Sequence, residues 1–315
     1  MEMKKETFNL VIGIAGPYGA GASSLSQELF ENLTNWPGID VEKIIAADLI
    51  KKYHKYYLSK QLDVDEEDNS KRRELLQSAG TKIRLKDRLA TAKIFVTEIT
   101  IKGKASENQG SEKEEVPKNE SVGARVYVID CLKNANEVNE LRRVYGDEFY
   151  LIYIHASREN RWRREVDYKG WSAQQRVDFE ERDQIDYDEK SIDPSVEDAG
   201  QEVKKLSTMA DYYLVNNYNR EKLKEEAKRL LDILFGSGKN QPTIDERSMH
   251  IAFSAANRSY CLSRQVGAAI VDDMGVILGI GHNDVPKADM VEHLSREKPI
   301  HTQKTWANNF HRAFG

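Results

Sequence analysis

The chain has almost no cysteine. Only Cys131 and Cys261 occur among 315 residues, which excludes a disulfide framework. It also lacks any apolar run approaching the roughly 20 residues that a membrane-spanning helix needs. Its first residues, M-E-M-K-K-E-T, carry no apolar core of a signal peptide. Excess basic charge is missing too: the net charge is −5 and the pI about 5.9. Nothing global therefore draws the chain to nucleic acid or to an anionic membrane, although a local basic groove stays open. These absences predict a cytoplasmic protein without a membrane partner. With 39% hydrophobic and 31% charged residues, the composition suits a globular fold that carries at least one polar, poorly packing segment.

One further absence is the most informative. Gly16 to Ser23 read G-P-Y-G-A-G-A-S, which is the phosphate-loop pattern G-x-x-x-x-G-K-[ST] without its lysine. Gly16, Gly21 and Ser23 fall in register, and Ala22 stands at the lysine position. Gly19, Ala20, Gly21, Ala22, Ser23 and Ser24 are the candidate nucleotide-binding positions with Gly16, because backbone N–H groups can surround a phosphate without help from a lysine. The side chain that would reach the β/γ-phosphates is gone, so binding without phosphoryl transfer is expected. The setting fits. Phe8 to Ala15 reads as a buried parallel strand. Leu25, Leu29, Phe30 and Leu33 then recur at helical spacing, with Ser23 or Ser24 as the N-cap.

Further along, strand-like runs alternate with helical patterns. Val126 to Asp130 and Tyr150 to Ile154 read as strands, as does Tyr212 to Val215. Val138, Leu141, Val144 and Tyr145 mark one helix, and Leu223, Ala227, Leu230, Leu231 and Leu234 another. This predicts an α/β fold, a phosphate-loop, nucleotide-kinase-like parallel sheet over residues 1–235. Within it, Lys102 to Ser121 holds only Ala105 and Val116 as apolar residues and reads as a disordered insertion. Residues 236–242 read as a Gly/Ser/Pro linker.

Asp130 closes its strand with a carboxylate. It suits either the acid that helps to hold Mg²⁺ beside a bound nucleoside phosphate or a strand-end helix cap. Arg161, with Arg163 and Arg164, suits bidentate phosphate contact or a solvated helix face. Asp48 is a candidate for a ribose or base. The acidic run Phe179 to Glu189 reads as a solvated face.

After Ile244 the pattern changes. Met249, Ala252, Phe253, Ala256 and Tyr260 form a helical stripe, and two strands flank a turn at Asp272 to Gly275. The stretches R-S-Y-C-L-S-R-Q-V-G-A-A-I-V (Arg258 to Val271) and G-I-G-H-N-D-V-P (Gly279 to Pro286) resemble the opening of a deoxycytidylate-type deaminase. Val128 to Arg142, Phe149 to Arg164 and Glu181 to Asp186 resemble the degenerate nucleotide-kinase-like module fused to such deaminases in bacterial anti-phage defence proteins. The resemblance implies the start of an α/β/α cytidine-deaminase-like domain at 243–288, with Arg264 and Asn283 as remnants of a substrate pocket. In the full-length family it implies Zn²⁺-assisted hydrolytic deamination of a deoxycytidine nucleotide, with His and two Cys on the metal and a proton-shuttling Glu, written H-x-E and P-C-x-x-C.

This chain departs from that pattern. None of His54, His155, His250, His282, His293, His301 and His311 has Glu two residues on, and no C-x-x-C occurs. Residues 289–315 form an atypical tail. The expectation is a chain that binds a nucleotide, holds no zinc and catalyses nothing alone, as a homo-oligomer or paired with a full-length relative across an exposed sheet edge. A nucleotide or nucleoside kinase, and a non-catalytic interaction protein, are the alternatives.

Overall fold

The computed structural model describes residues 8–59, 69–112, 123–172, 175–188, 199–236 and 240–284. The chain divides into two compact units, Met1–Gly238 and Lys239–Gly315.

The first unit alternates strands and helices. β1 (Phe8–Ala15) leads through the glycine-rich loop into α1 (Ala22–Thr34), then β2 (Ile39–Ile44). Three helices follow, α2 (Ala46–Leu58), α3 (Asn69–Lys86) and α4 (Ala90–Glu112), before β3 (Ala124–Leu132) and α5 (Ala135–Tyr145). β4 (Phe149–His155) precedes α6 (Arg158–Lys169), α7 (Arg176–Tyr187) and α8 (Val203–Ser207), and β5 (Tyr212–Val215) precedes α9 (Arg220–Phe235). The five strands pair in parallel in the order β2-β3-β1-β4-β5. β1 is the central strand, so its carboxyl end lies where the chain's winding reverses, the place where open α/β sheets take ligands.

Both faces of the sheet are covered, which is why β1 is apolar and buried from Leu10 to Ala15. Val11, Ala15, Tyr127 and Ile129 face a core with Ile83, Ile94, Phe95 and Leu141. Leu10, Ile12, Ile14 and Val128 face the other, with Leu25, Leu29, Ala227 and Leu231.

Three sequence expectations need correction. Neither Ser23 nor Ser24 caps α1: both lie inside it, and the N-cap is Gly21 in left-handed conformation, with no side-chain cap. The polar segment does not begin as disorder at Lys102. α4 carries on to Glu112, because burial of Ile94, Phe95 and Ile99 nucleates the helix and elongation is cheap thereafter. Lys102 also pairs with Glu42 at 2.6 Å, and residues 113–121 lie outside the described residues. Finally, the acidic run is not simply a solvated face: Phe179, Asp183 and Asp186 of α7 are buried.

The second unit holds α10 (Ile244–Ala256) and an antiparallel pair, β6 (Gly267–Val271) and β7 (Ile277–His282). Thr243 and Glu246 form a capping box at its start. The turn at Asp272 to Gly275 closes with the Gly275 N–H donating to Asp272 O at 3.0 Å. The expected stripe on α10 is only half buried. Ala252 and Ala256 pack inward, while Met249, Phe253 and, beyond the helix, Tyr260 are exposed. The backbone approach explains the choice of small residues: a Cβ on Gly267 would lie 1.9 Å from Ala252 O. Residues 285–315 lie outside the described residues.

Candidate functional site

The loop after β1 is shaped by two glycines. A Cβ on Gly16 would meet the Ile154 carbonyl oxygen at 2.5 Å, so only glycine lets the loop leave β1 so close to β4. Gly21 has φ +103°, and a Cβ there would lie 2.5 Å from Asn216 Nδ2. From Gly21 the chain enters α1, whose first-turn amides (Ala22, Ser23, Ser24) no side chain caps. An uncapped helix start beneath a glycine loop leaves N–H groups and the positive end of the helix dipole for an anion. Ser23 and Ser24 are exposed at this mouth, whereas Ala20 is fully buried.

The loop's carbonyls are held from behind, and the Ala20 N–H closes a turn onto Pro17 O at 3.0 Å. Asn216, just past β5, donates to Ala20 O at 2.8 Å. Arg164 donates to Gly19 O at 3.2 Å and Ala20 O at 3.3 Å, and also to Asn216 O. Arg161 is buried and donates to Tyr18 O at 2.8 Å and Ala156 O at 3.1 Å, while both its terminal nitrogens engage Asp183. The structure thus brings Arg161 to the loop as a brace, with its N–H groups spent on protein acceptors. Arg163 is exposed on α6. Tyr18 packs on Trp171 and Phe179 and donates its hydroxyl to Glu165 at 2.5 Å. Burial raises its pKa above the usual phenol value, so it stays a donor.

Asp130 lies one strand away. Between the pairs Gly13–Ile129 and Ala15–Leu132 the β1–β3 register shifts, so Asp130 and Cys131 stand opposite the single residue Ile14. Such a bulge re-aims a side chain beside a site. Asp130 Oδ1 accepts the Ala46 N–H at 2.8 Å, which serves the start of α2 from across the fold. Among the described residues no lysine or arginine comes within ion-pair distance of it. Burial raises its pKa above the ordinary carboxylate value, partly countered by the Ala46 N–H and the more distant charges of Lys43 and Lys133, while Asp48 adds like charge. A desolvated carboxylate with no direct ion-pair partner among the described residues, beside a second carboxylate, fits a divalent ion. Burial pushes the neighbouring Cys131 thiol up to about 12, which makes it inert.

In the second unit, Asn283 accepts the Val266 N–H at 2.7 Å and donates to Arg264 O at 2.8 Å. It ties the ends of the β6–β7 pair, and Arg264 is exposed. Among the described residues no three His, Cys, Asp or Glu side chains converge with metal-binding geometry, and His293, His301 and His311 lie outside them. No described helix is long and apolar enough to cross a membrane. A cleft lined by Arg142, Phe149 and Asp211 opens at the amino end of β4, away from the end where such sheets take ligands.

Sequence reasoning missed Tyr18, Lys133, Glu165, Asp183, Asp186 and Asn216. One signal was there: Phe179, Asp183 and Asp186 share one face of a helix by their spacing.

Neither a protein-family model nor a curated protein sequence matches the chain. Several solved kinase structures are similar to it. Shikimate kinase from Acinetobacter baumannii in complex with shikimate is 12% identical, over 75% of this chain and 97% of that one, with a TM-score of 0.35. APS kinase from Mycobacterium tuberculosis in complex with AMPPNP and APS is 13% identical over 73% and 99%, with a TM-score of 0.34. Dephospho-CoA kinase from Campylobacter jejuni is 11% identical over 72% and 98%, with a TM-score of 0.35. Likeness at this level says nothing of what the chain binds.

Proposed function

We propose that the first unit is a nucleotide-binding module that does not transfer phosphate, joined to a segment of the deoxycytidylate-deaminase type. The carrying observation is the uncapped start of α1 beneath a loop whose carbonyls are tied back by Asn216, Arg161 and Arg164. Ala22 removes the lysine contact to the transferred phosphoryl group, which counts against the kinase reading. Asp130, with Ser23, would hold a Mg²⁺ ion accompanying the nucleotide; bound there, the ion would neutralise phosphate charge. The zinc ligands of the deaminase family have no counterpart among the described residues.

Calorimetry with ATP and dCTP, beside a labelled-ATP phosphotransfer assay, tests the reading. Micromolar binding without label transfer is expected. Transfer to a nucleoside or nucleotide acceptor would establish the kinase alternative, and absence of binding would end the proposal. Deoxyuridine nucleotide formed by the purified chain, with one zinc bound, would overturn the view of the second unit.

The second unit favours an association role in addition. Phe253, Ile270, Leu278 and Ile280 are all exposed on a helix and a two-stranded sheet, and a lone strand pair is marginal in water. We assign these faces to contact with a second copy or with a relative carrying a complete deaminase domain in the cytoplasm. Sizing by light scattering is expected to give an oligomer; a monomer at all concentrations, alone and with that relative, would exclude it.

Asp130→Asn separates stability from function. A carboxylate whose folded pKa is raised costs stability as pH climbs above its unfolded value, and the cost is complete once pH passes the folded value. Asn keeps the acceptor for the Ala46 N–H and removes the charge. The thermal midpoint is expected to hold or rise by a few degrees, while the magnesium-dependent part of nucleotide affinity is lost. A clear drop in midpoint would contradict the desolvation argument.

A further inference from the structure

The loop lacks its lysine in sequence, yet an ammonium group stands at its base. Leu132 pairs with Ala15 across β3 and β1, so the next residue, Lys133, emerges beside Gly16. Its backbone is pinned on both sides: the Lys133 N–H donates to Glu137 Oε2 at 2.8 Å, and its carbonyl accepts the Glu202 N–H at 2.7 Å. Glu137 is itself fixed by the buried Arg84 at 3.3 Å. From this anchored position Lys133 Nζ donates to Gly16 O at 3.0 Å and to Asp186 Oδ2 at 2.5 Å.

An ammonium has three donors. Two are spent here, and no described acceptor takes the third. The side chain remains 21% exposed while Asp186 is 2% exposed, so the ammonium keeps a solvent-accessible part at the base of the loop, where it holds Gly16 O. Desolvation opposes the charge, but Asp186 and Cys131 together outweigh it and the lysine pKa lies above its usual value. Arg73 adds a second cation. Its guanidinium carbon lies 4.2 Å from the centre of the Tyr18 ring, and no described carboxylate pairs with it.

We propose that Lys133 supplies from the end of β3 the cation that position 22 lacks, donating its third N–H to the outer phosphates of a nucleotide held in the loop, with Arg73 beside it. This rests on the loop's being a phosphate cradle. A bound phosphate oxygen, Gly16 O and Asp186 would then satisfy all three ammonium donors. Being tethered to Asp186 and to the loop itself, Lys133 is placed to bind and orient the phosphate chain.

The test uses the full chain and compares triphosphates (ATP, dCTP) with monophosphates (AMP, dCMP) by calorimetry. In Lys133→Met, triphosphate affinity is expected to fall about tenfold or more, as for loss of a charge-assisted hydrogen bond, with monophosphate affinity changed less than about twofold. Lys133→Arg should recover part of the loss, and Arg73→Gln should show a smaller effect of the same selectivity. Equal loss for both ligand lengths, or unchanged triphosphate affinity, would leave Lys133 a brace between the loop and α7 and overturn the proposal. Should the methionine variant not fold, acetylation of the wild-type chain decides: ATP, and not adenosine, is expected to shield Lys133, and equal labelling with either would overturn the assignment. Wild-type protein that binds no nucleotide would instead remove the cradle itself, and the proposal with it.

Discussion

Gly21→Val is expected to abolish nucleotide binding, with affinity falling at least about a hundredfold, or roughly 2.7 kcal/mol. Two independent effects act together. The backbone at Gly21 has φ +103°, a conformation in which a β-branched residue is strongly strained. The added Cβ would also lie 2.5 Å from Asn216 Nδ2, whose bond to Ala20 O fixes the loop. Relief of either conflict moves the amides of the loop or of the first turn of α1, and those amides are the proposed binding groups. Calorimetry with the ligand that binds wild-type protein gives the answer, with a thermal melt to show that the sheet is intact. Gly21→Ala should fall between the two. Undiminished affinity in the valine variant would mean that the nucleotide is held elsewhere.

Asp183→Ala should be the most destabilising single change near the site. Removing one partner of a buried ion pair typically costs about 3–5 kcal/mol, because the other charge is left desolvated. Here Arg161 and Asp183 have side chains only 8% and 12% exposed, and Arg158 also lies 3.8 Å from Asp183. Two guanidinium groups would lose one carboxylate. For a unit of this size the thermal midpoint is expected to drop on the order of 10 °C. The loop should loosen with it, since Arg161 also holds Tyr18 O. Asp183→Asn, which can still accept hydrogen bonds, should cost less. A change below about 1 kcal/mol in urea unfolding would place the pair among surface pairs of little worth.

Much of the fold was legible along the chain because it depends on local pattern. An apolar, β-branched run read as β1 from Phe8 to Ala15 is that strand, since a strand covered on both faces must be apolar throughout. The β6–β7 pair and its turn were legible for a similar reason: antiparallel neighbours close through a short connection. The N-cap was misread because serine propensity points to Ser23 or Ser24, whereas the loop's path requires a left-handed residue at Gly21. α7 was misread because charge count outweighed spacing. Asp183 and Asp186 are buried by partners on α6 and after β3 that no local window contains.

The sequence by itself determined that the chain carries an α/β unit, where its glycine loop falls, and that position 22 is Ala. Each follows from residue type and short-range period. Only the tertiary structure decided which groups surround the loop. Lys133 reaches Gly16 across 117 positions of the chain and Asn216 reaches Ala20 across 196. Strand order sets these meetings: β3 and β4 flank β1, and β5 lies beyond β4. That order is selected by packing of helices on both sheet faces and not by the preference of any one segment. A charge missing from the loop's own sequence can therefore be present in its surroundings, because a parallel sheet gathers the carboxyl ends of distant strands on one side.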